Sequence, residues 1–288
     1  MRFLLVLLVL LLPVAALADD YVLEVEVWRA LRVERLRKPD GWLSLAGLFW
    51  LHEGANRFGS GTDNDLVFPA KAPSCLGVAT WTGGVVQVDL APGVLVDGQP
   101  SARVILDPKA PEGKPLFTSG SLSWYLLNRG GRLAFRLKDR DSEALRNFHG
   151  TEWFPVDPAW RVEARLEGPP HRLEVPSATG ARTDEECPGT LVFRVEGREC
   201  RLDPLVEDGR LFVIFSDATS GQETYGAGRF LYAELPDAEG RTVLDFNRAY
   251  SPPCAFTPFA TCPRPPAQNH LPLAVRAGEK DPAGHGGP

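Results

Sequence analysis

The chain has 288 residues, a formal net charge of −6, and 31 Lys and Arg residues that form no basic block. An acidic chain of this kind is not expected to bind nucleic acid, because contacts to phosphates need clustered cationic side chains. With 44% hydrophobic residues, 28 Gly and 26 Pro, the composition excludes a largely disordered chain and favours short strands joined by many turns.

Residues 1–18 have the layout of a cleavable secretory signal peptide. Arg2 precedes an apolar run from Phe3 to Leu12, and Ala16 and Ala18 supply the small residues that precede a cleavage site. The run is shorter than the ~20 residues that a spanning helix needs, so we expect no transmembrane segment after signal removal. The predicted product is an exported protein, periplasmic or extracellular and soluble after cleavage.

Residues 19–54 are predicted to form a short N-terminal amphipathic helix followed by a connector rich in Trp and Gly. Apolar residues recur near helical spacing with charges between them, and a helix is expected to end before Pro39. These apolar residues are Val22, Val25, Trp28, Leu31 and Leu36.

The remainder of the chain is predicted to be mostly β. Alternating apolar runs, separated by turn signals such as Asp97-Gly98 and Gly130-Gly131, predict a β-sandwich over residues 55–145. Similar runs predict a second antiparallel β domain over residues 146–280, which includes a loop rich in Pro and Cys. Residues 281–288 are expected to be a disordered tail.

Within the predicted sandwich, "FGSGTDNDLVFPAKAPSCLGVAT" and a later "VLVDGQP" resemble a forkhead-associated domain. The matching residues are Gly59, Asn64, Asp65, Ser74 and the Asp97-Gly98 turn. The family's phosphate-binding Arg and His are replaced here by Ser60 and Gly77. A phosphate site needs the charged donors of that Arg, so the resemblance implies the sandwich fold but not phosphopeptide binding.

A second resemblance spans nearly the whole predicted mature chain, from about residue 21 to 280. The segments "DGWLSLAGLFWL", "FHGTEWFPVDPAWRVEAR" and "DFNRAYSPPCAFTPFATCPRPPAQNHLPLAVRAGEK" resemble a bacterial family known as domain of unknown function 1684. This resemblance implies that both halves belong to one architectural unit, and it implies no reaction.

The five cysteines are predicted to form two disulfides and one free thiol, because export permits disulfides. Cys187 pairs most economically with Cys200, and Cys254 with Cys262, which leaves Cys75 as a buried free thiol. Five reduced, buried cysteines are the alternative.

Two further hypotheses concern Cys254 and Cys262. With His270 they could supply three zinc ligands, but a fourth is missing and the spacing differs from that of compact zinc sites. Either thiol could also act as a nucleophile beside His149 or His270. Disulfide closure of a proline-stiffened loop over residues 251–272 is the favoured interpretation, and we expect no metal site and no cofactor.

Several polar or aromatic residues are candidates for a site. Trp153 could stack on a sugar ring, and Asp245 and Asn247 alternate onto one face of a strand that enters the proline-rich loop. Asp245 and Asn247 could instead form hydrogen bonds with the loop backbone and fix its turn. The ligand-binding candidates are Trp153, Arg229, Asp245, Asn247 and Arg248, and the acid–base candidates are His149, Glu223, Tyr225 and Asp245.

Three functions remain open from the sequence. The favoured one is an exported or envelope-associated module that binds a small molecule or glycan at the junction of the two domains. The first alternative is a hydrolase of an envelope polymer or small ester. The sequence contains no recognisable nucleophile motif such as G-x-S-x-G, which weighs against this alternative. The second alternative is a structural interaction protein.

Overall fold

The computed structural model describes residues 14–282, with side chains from residue 20 onwards. Most of the predicted signal peptide and of the predicted tail lies outside these residues. Within the described part of the chain, no helix is long and apolar enough to cross a membrane.

The described residues are mostly β, as predicted. The α-helices are α1 (Val14–Leu36) and α2 (Glu143–Arg146), and short 3₁₀ turns cover Trp42–Ser44, Pro158–Trp160, Phe246–Arg248 and Pro253–Ala255. In the N-terminal part the strands are β1 (Leu45–Trp50), β2 (Gly54–Gly59), β3 (Leu66–Val67), β4 (Gly77–Thr82), β5 (Val85–Leu90), β6 (Leu95–Val96), β7 (Gln99–Pro100), β8 (Arg103–Leu106), β9 (Phe117–Ser119), β10 (Leu122–Arg129) and β11 (Arg132–Asp139). In the C-terminal part they are β12 (Arg161–Glu167), β13 (His171–Pro176), β14 (Arg182–Cys187), β15 (Thr190–Val195), β16 (Arg198–Leu202), β17 (Leu205–Glu207), β18 (Arg210–Asp217), β19 (Arg229–Ala233), β20 (Arg241–Asp245) and β21 (His270–Leu271).

The N-terminal helix is present, but its buried face differs from the predicted one. Val25 and Leu36 are fully buried, whereas Leu31 is 50% exposed, so its predicted place on the apolar face is wrong. Arg29 and Arg32 lie in phase with Val25 and Leu36 and are almost completely buried. They can be buried because backbone carbonyls and a carboxylate of the C-terminal part accept their hydrogen bonds.

The N-terminal strands form a sandwich of two sheets. One sheet has the order β1-β11-β10-β9-β6-β7 and the other β3-β2-β4-β5-β8. Both sheets contribute to one core, in which Phe58 of one packs edge-on against Trp124 and Phe135 of the other. The predicted Asp97-Gly98 turn joins β6 to β7, and both residues have positive φ, as a tight hairpin turn requires. Strand β1 comes from the predicted connector and pairs with β11.

The C-terminal strands form a four-stranded sheet, β16-β15-β12-β20, a second sheet, β17-β18-β19 with β21 on β18, and the separate hairpin β13–β14. Their shared core centres on Phe246, whose ring contacts Trp160, Phe193 and Phe215. Phe246 immediately follows β20, so the packing of this ring fixes where the chain leaves the sheet and enters the proline-rich loop.

A buried ion pair connects this core to the last described segment of the chain. Arg229 of β19 and Asp217 of β18 are joined at 2.8 Å, and neither side chain is exposed. The Arg229 guanidinium also donates to the carbonyls of Val275 and Ala277. Because a buried charge needs an ion-pair partner and hydrogen-bond acceptors, the two Nη groups of Arg229 fix the position of residues 275–277 against the sheet.

Candidate ligand cleft

A large cleft lies where α1, the sandwich and the C-terminal sheets meet, which is the kind of place where small-molecule sites occur. Its volume is about 880 Å³. The helix and the segment after it supply one side, β10 and β11 supply residues from the sandwich, and β12 and β17–β20 with the proline-rich loop supply the rest. The lining residues used below are Glu24, Trp28, Arg32, Arg35, Lys38, Asp40, Arg129, Arg136, Arg161, Glu207, Arg210, Phe212, Tyr232, Glu234, Asp245, Arg248, Tyr250 and Cys262.

Cationic side chains outnumber carboxylates in this cleft. Seven arginines and one lysine line it, against five acidic residues, although the whole chain carries a net charge of −6. Four of these cations have no carboxylate within 4.0 Å among the described residues, namely Arg35, Lys38, Arg161 and Arg210. A concave surface with an excess of positive charge attracts ligands of the opposite sign, so the cleft favours anions.

Aromatic rings form one wall of the cleft. The Tyr232 ring is nearly parallel to the ring of Phe212, at a centroid distance of 4.8 Å, and to that of Tyr250, at 6.5 Å. The Arg210 guanidinium lies 4.2 Å from the centroid of the Tyr232 ring, and that of Arg32 lies 4.6 Å from the Tyr250 ring. Each tyrosine therefore holds a guanidinium by a cation–π contact, which places flat apolar surface and positive charge side by side.

Both wall tyrosines carry neutral hydroxyl groups at physiological pH. Burial raises the pKa of Tyr250 to about 12. Burial, and then the hydrogen bond that its hydroxyl donates to Glu207, raise the pKa of Tyr232 as well. The Tyr250 hydroxyl can therefore donate to a ligand oxygen without adding negative charge to the cleft, whereas the Tyr232 hydroxyl already donates its proton to Glu207.

Arg136, a residue of β11 in the sandwich, contributes its guanidinium group to the cleft lining. The residue is only 2% exposed, and its Nη2 donates to Thr261 Oγ1 of the proline-rich loop at 3.0 Å. The nearest carboxylate, that of Glu112, is 3.7 Å from Nη1. Its Nε has no hydrogen-bond acceptor among the described residues. A buried guanidinium with this incomplete set of partners retains capacity to bind an anion.

Arg32 links the cleft to a buried carboxylate behind it. Its Nη2 donates to the Ser251 carbonyl at 2.9 Å, and its Nε lies 3.4 Å from Glu279 Oε2. Glu279 is completely buried, and this desolvation raises its pKa to about 7, although the charge of Arg32 opposes the shift. Glu279 does not line the cleft, so its role is to hold Arg32.

Asp245 and Asn247 lie together, but only Asp245 lines the cleft. Strand β20 ends at Asp245, whose Oδ1 accepts the Tyr21 hydroxyl at 2.8 Å and the Asn247 backbone N–H at 3.2 Å. Asn247 is fully buried and donates to the Tyr21 hydroxyl and to the Asp157 carbonyl. This geometry matches the turn-fixing alternative considered for the pair. Arg248, whose Nε lies 3.2 Å from Asp245 Oδ2, also lines the cleft.

The other acid–base candidates lie outside the cleft lining. His149 has an exposed side chain, Glu223 pairs with Arg276 at 2.9 Å, and the Tyr225 hydroxyl donates to the Cys254 carbonyl at 3.1 Å. Among the described residues, no hydrogen bond or ion pair joins any two of the four acid–base candidates.

The remaining ligand-binding candidates are engaged in packing. The Trp153 ring meets Trp28 edge-on at 5.8 Å, and the Arg29 guanidinium lies 4.9 Å from its centroid. Arg229 is the buried partner of Asp217 described above. Neither Trp153 nor Arg229 lines the cleft.

All five cysteines are free thiols, so neither predicted disulfide is formed in this structure. Cys75 is free as predicted, but it is exposed and not buried. Cys187 and Cys200 lie in different hydrophobic clusters. Cys254 and Cys262 are neighbours, since the Cys254 N–H donates to Cys262 Sγ at 3.2 Å. A hydrogen bond from the Cys262 thiol lowers the pKa of Cys254 to about 7, and the same interaction raises that of Cys262.

Sequence reasoning missed Arg32, Arg136 and Glu279 as parts of the cleft and its support. The helical phase of Arg32 with Val25 and Leu36 was a usable signal, because it places a charged residue on the buried face of α1. Arg136 and Glu279 gave no such signal. Their partners lie 125 and 247 residues away in the sequence.

With this geometry described, the chain can be compared with known proteins. Residues 146–280 match the model of a family described as "Protein of unknown function (DUF1684)". The comparison with curated proteins gave no match. Among solved structures, the chain is similar to an uncharacterized protein of Haloarcula marismortui, determined by solution NMR. The two are 35% identical over 49% of this chain and 80% of that one, with a TM-score of 0.40.

The DUF1684 match begins at the end of the sandwich and includes the C-terminal sheets and the proline-rich loop. It therefore covers one part of the cleft, whereas α1 and the sandwich supply the other part. That the same family extends to residue 21, and that the sandwich is related to forkhead-associated domains, stay predictions.

Proposed function

We propose that this protein is an exported binding module whose ligand is an anionic, ring-bearing small molecule or acidic sugar, held in the cleft between α1, the sandwich and the C-terminal sheets. The export part of the proposal rests on the signal-like residues 1–18. The observation that supports anion binding is the set of four cleft cations without carboxylate partners: Arg35, Lys38, Arg161 and Arg210.

The chemistry of the cleft supports this ligand class in two ways. Guanidinium groups bind carboxylates and phosphates through two parallel hydrogen bonds, which are among the strongest in proteins. The Tyr232 and Tyr250 rings, each in contact with a guanidinium, add apolar ring edges beside the cations, against which a sugar or aromatic ring can pack. The volume of about 880 Å³ lies within the range of small-molecule sites.

The two alternative functions receive less support. Acid–base catalysis needs its groups within reach of one substrate atom. Of the four acid–base candidates, Asp245 alone lines the cleft, and its Oδ1 accepts hydrogen bonds from Tyr21 and Asn247. A structural interaction protein does not require a concave surface with unpaired cations. Binding is therefore the function that we propose.

The test compares matched anionic and neutral ligands. Isothermal titration calorimetry would use a uronic acid, a nucleoside monophosphate, and the neutral sugar and nucleoside from which each derives. We expect at least one anion to bind about tenfold or more tightly than its neutral parent, since charged hydrogen bonds contribute about 1.5–3 kcal/mol. Binding should weaken as ionic strength rises.

Single substitutions inside and outside the cleft test whether the anion binds there. Arg35→Gln and Arg210→Gln each remove a cleft cation that has no carboxylate partner, and we expect each to weaken anion binding about tenfold. Arg146→Gln is the matched control, because Arg146 is an exposed arginine of α2 outside the cleft and has no ion pair among the described residues. Equal binding by all three variants, or no binding of either anion by the parent protein, would refute the proposal.

A further inference from the structure

Three potential metal ligands converge outside the cleft, in a cluster formed by His171, Cys187 and Asp203. One ligand atom from each residue, an imidazole nitrogen, Cys187 Sγ and a carboxylate oxygen, lies within 4.8 Å of the other two. His171 opens β13 and pairs across the hairpin with Cys187, the last residue of β14. Asp203 follows β16, so the ligands come from two separate parts of the C-terminal sheets.

The imidazole of His171 faces a hydrogen-bond acceptor at each nitrogen. Nε2 lies 3.2 Å from Asp203 Oδ2, and Nδ1 lies 3.4 Å from the Pro169 carbonyl oxygen. A neutral imidazole carries one N–H and can donate to only one of them. A cation between Nε2 and Oδ2 satisfies both, because Nδ1 then carries the proton and donates to the carbonyl. Ligating histidines are usually held in this way.

The carboxylate of Asp203 is held in one orientation. Its Oδ1 accepts the Thr190 hydroxyl at 2.7 Å, and its Oδ2 faces the imidazole and also accepts from Gln268 Nε2 at 3.3 Å. The Asn269 side chain also fixes the backbone of Asp203, because it accepts from the N–H at 2.7 Å and donates to the carbonyl at 2.9 Å. Supporting hydrogen bonds of this kind orient the ligands of metal sites.

The distances suit a tetrahedral zinc ion. With Zn–N and Zn–O bonds of about 2.1 Å, two ligand atoms 3.2 Å apart subtend about 100° at the metal, near the tetrahedral angle. Because a Zn–S bond is about 2.3 Å, Cys187 Sγ must lie closer to the other two ligand atoms in the metal-bound protein than the present upper limit of 4.8 Å. One thiolate and one carboxylate would neutralise the two positive charges of the ion, which makes partial burial favourable.

We propose that His171, Cys187 and Asp203 bind one zinc ion, with a water molecule as the fourth ligand. The His171 side chain is 35% exposed and gives the ion access from solvent. In the metal-free protein the Cys187 thiol donates to the Gly189 carbonyl at 3.1 Å. Metal binding breaks the S–H bond, forms the Zn–S bond and releases one proton to solvent, with no change in oxidation state.

The proton release follows from the state of Cys187. In the metal-free protein its thiol donates a hydrogen bond to the Gly189 carbonyl, so the sulfur carries a proton. Calorimetry in two buffers of different ionisation enthalpy should therefore show one proton released for each metal ion bound. The bound ion would connect the β13–β14 hairpin to the core, and it should raise the melting temperature.

Cobalt(II) is the spectroscopic probe for this site. The full chain, reduced and freed of metal by chelation, would be titrated with Co²⁺ and then with Zn²⁺. We expect a thiolate-to-cobalt charge-transfer band that saturates at one Co²⁺ per chain and disappears as Zn²⁺ displaces the probe. The absence of this band in the parent protein would overturn the proposal.

Cysteine variants assign the band to one sulfur. Cys187→Ser should abolish it, whereas Cys200→Ser, which changes a second buried cysteine of the same half, should leave it intact, and so should Cys254→Ser. A band that survives in Cys187→Ser and is lost in Cys254→Ser would place the metal at the other cysteine pair and overturn the assignment.

Two further variants keep the test decisive if Cys187→Ser does not fold. Asp203→Asn removes a charged ligand and should weaken Co²⁺ binding more than tenfold. Thr190→Val removes the hydrogen bond to Asp203 Oδ1 and should weaken binding about 10-fold while the charge-transfer band persists. Unchanged affinity in both variants would overturn the proposal.

Discussion

The buried ion pair between Asp217 and Arg229 provides the sharpest test of the fold, and Asp217→Asn is the perturbation. The substitution keeps the shape of the side chain and removes its charge. Asp217 Oδ1 accepts from the Thr219 N–H at 2.8 Å, the Thr219 hydroxyl at 2.6 Å and the Val275 N–H at 3.2 Å. The asparagine oxygen must therefore occupy that position, which turns its amide NH₂ group towards the donating Nη2 of Arg229.

The expected destabilisation is about 3–5 kcal/mol, the usual cost of leaving one partner of a buried ion pair uncompensated. Both side chains are completely buried, so solvent does not screen the unpaired charge. The carbonyls of Val275 and Ala277 continue to accept from Arg229. These two hydrogen bonds place our expectation at the lower end of the range.

Urea denaturation, followed by tryptophan fluorescence, measures this loss. With a slope of about 3 kcal/mol per molar urea, the midpoint should fall by about 1 M or more at unchanged slope. Glu199→Gln is the control. It removes the carboxylate from an exposed pair with Arg201, at 2.8 Å, and should cost no more than about 1 kcal/mol. Equal losses in the two variants, or a loss below about 1 kcal/mol for Asp217→Asn, would refute this account of the core.

Two predictions concern titratable groups. The pKa of Glu279 is raised from 4.5 to about 7, so between those values the folded state holds a proton that the unfolded state releases. This contribution is fully present below about pH 4.5 and is lost as pH rises through about 7, by up to about 3 kcal/mol. As pH rises across this window, the free energy of unfolding of Glu279→Gln should therefore increase relative to that of the parent protein, as measured by urea denaturation at several pH values. A difference between the two proteins that does not change with pH would contradict the raised pKa of Glu279. A mild disulfide oxidant should link Cys254 to Cys262 but not Cys187 to Cys200, as read by peptide mass spectrometry without reduction. A Cys187–Cys200 link would contradict the packing of these two cysteines in separate clusters.

Local pattern was sufficient to predict most of the fold class. Alternation of apolar and polar residues predicts strands because successive side chains point to opposite faces of a sheet. The Asp97-Gly98 pair predicts its turn because both residues tolerate positive φ. Apolar residues at helical spacing, with charges between them, identified α1, but Leu31 was placed on the wrong face. The buried stripe of this helix contains Arg29 and Arg32, whose acceptors lie in distant parts of the chain.

Only some residues of the candidate site could be predicted from the sequence. Asp245 and Arg248 were selected from their position just before the proline-rich loop, and both line the cleft. His149 and Trp153 were selected because their side chains can do chemistry or stack on a ring, and both lie outside it. Residue type and local spacing cannot show which side chains share a cavity, because that depends on how separate elements pack.

The amino-acid sequence by itself determined the strands, the turns, the N-terminal helix and the absence of a basic block, since each depends on residues that are close together in the chain. Tertiary structure alone decided that Arg35, Arg161 and Arg210 would line one cleft. It also decided that Asp203 would lie beside His171, 32 residues away in the sequence, with Asp203 Oδ2 and His171 Nε2 3.2 Å apart. The physical reason is that charge and ligand geometry act through space over a few ångströms, and only the packed fold sets those distances.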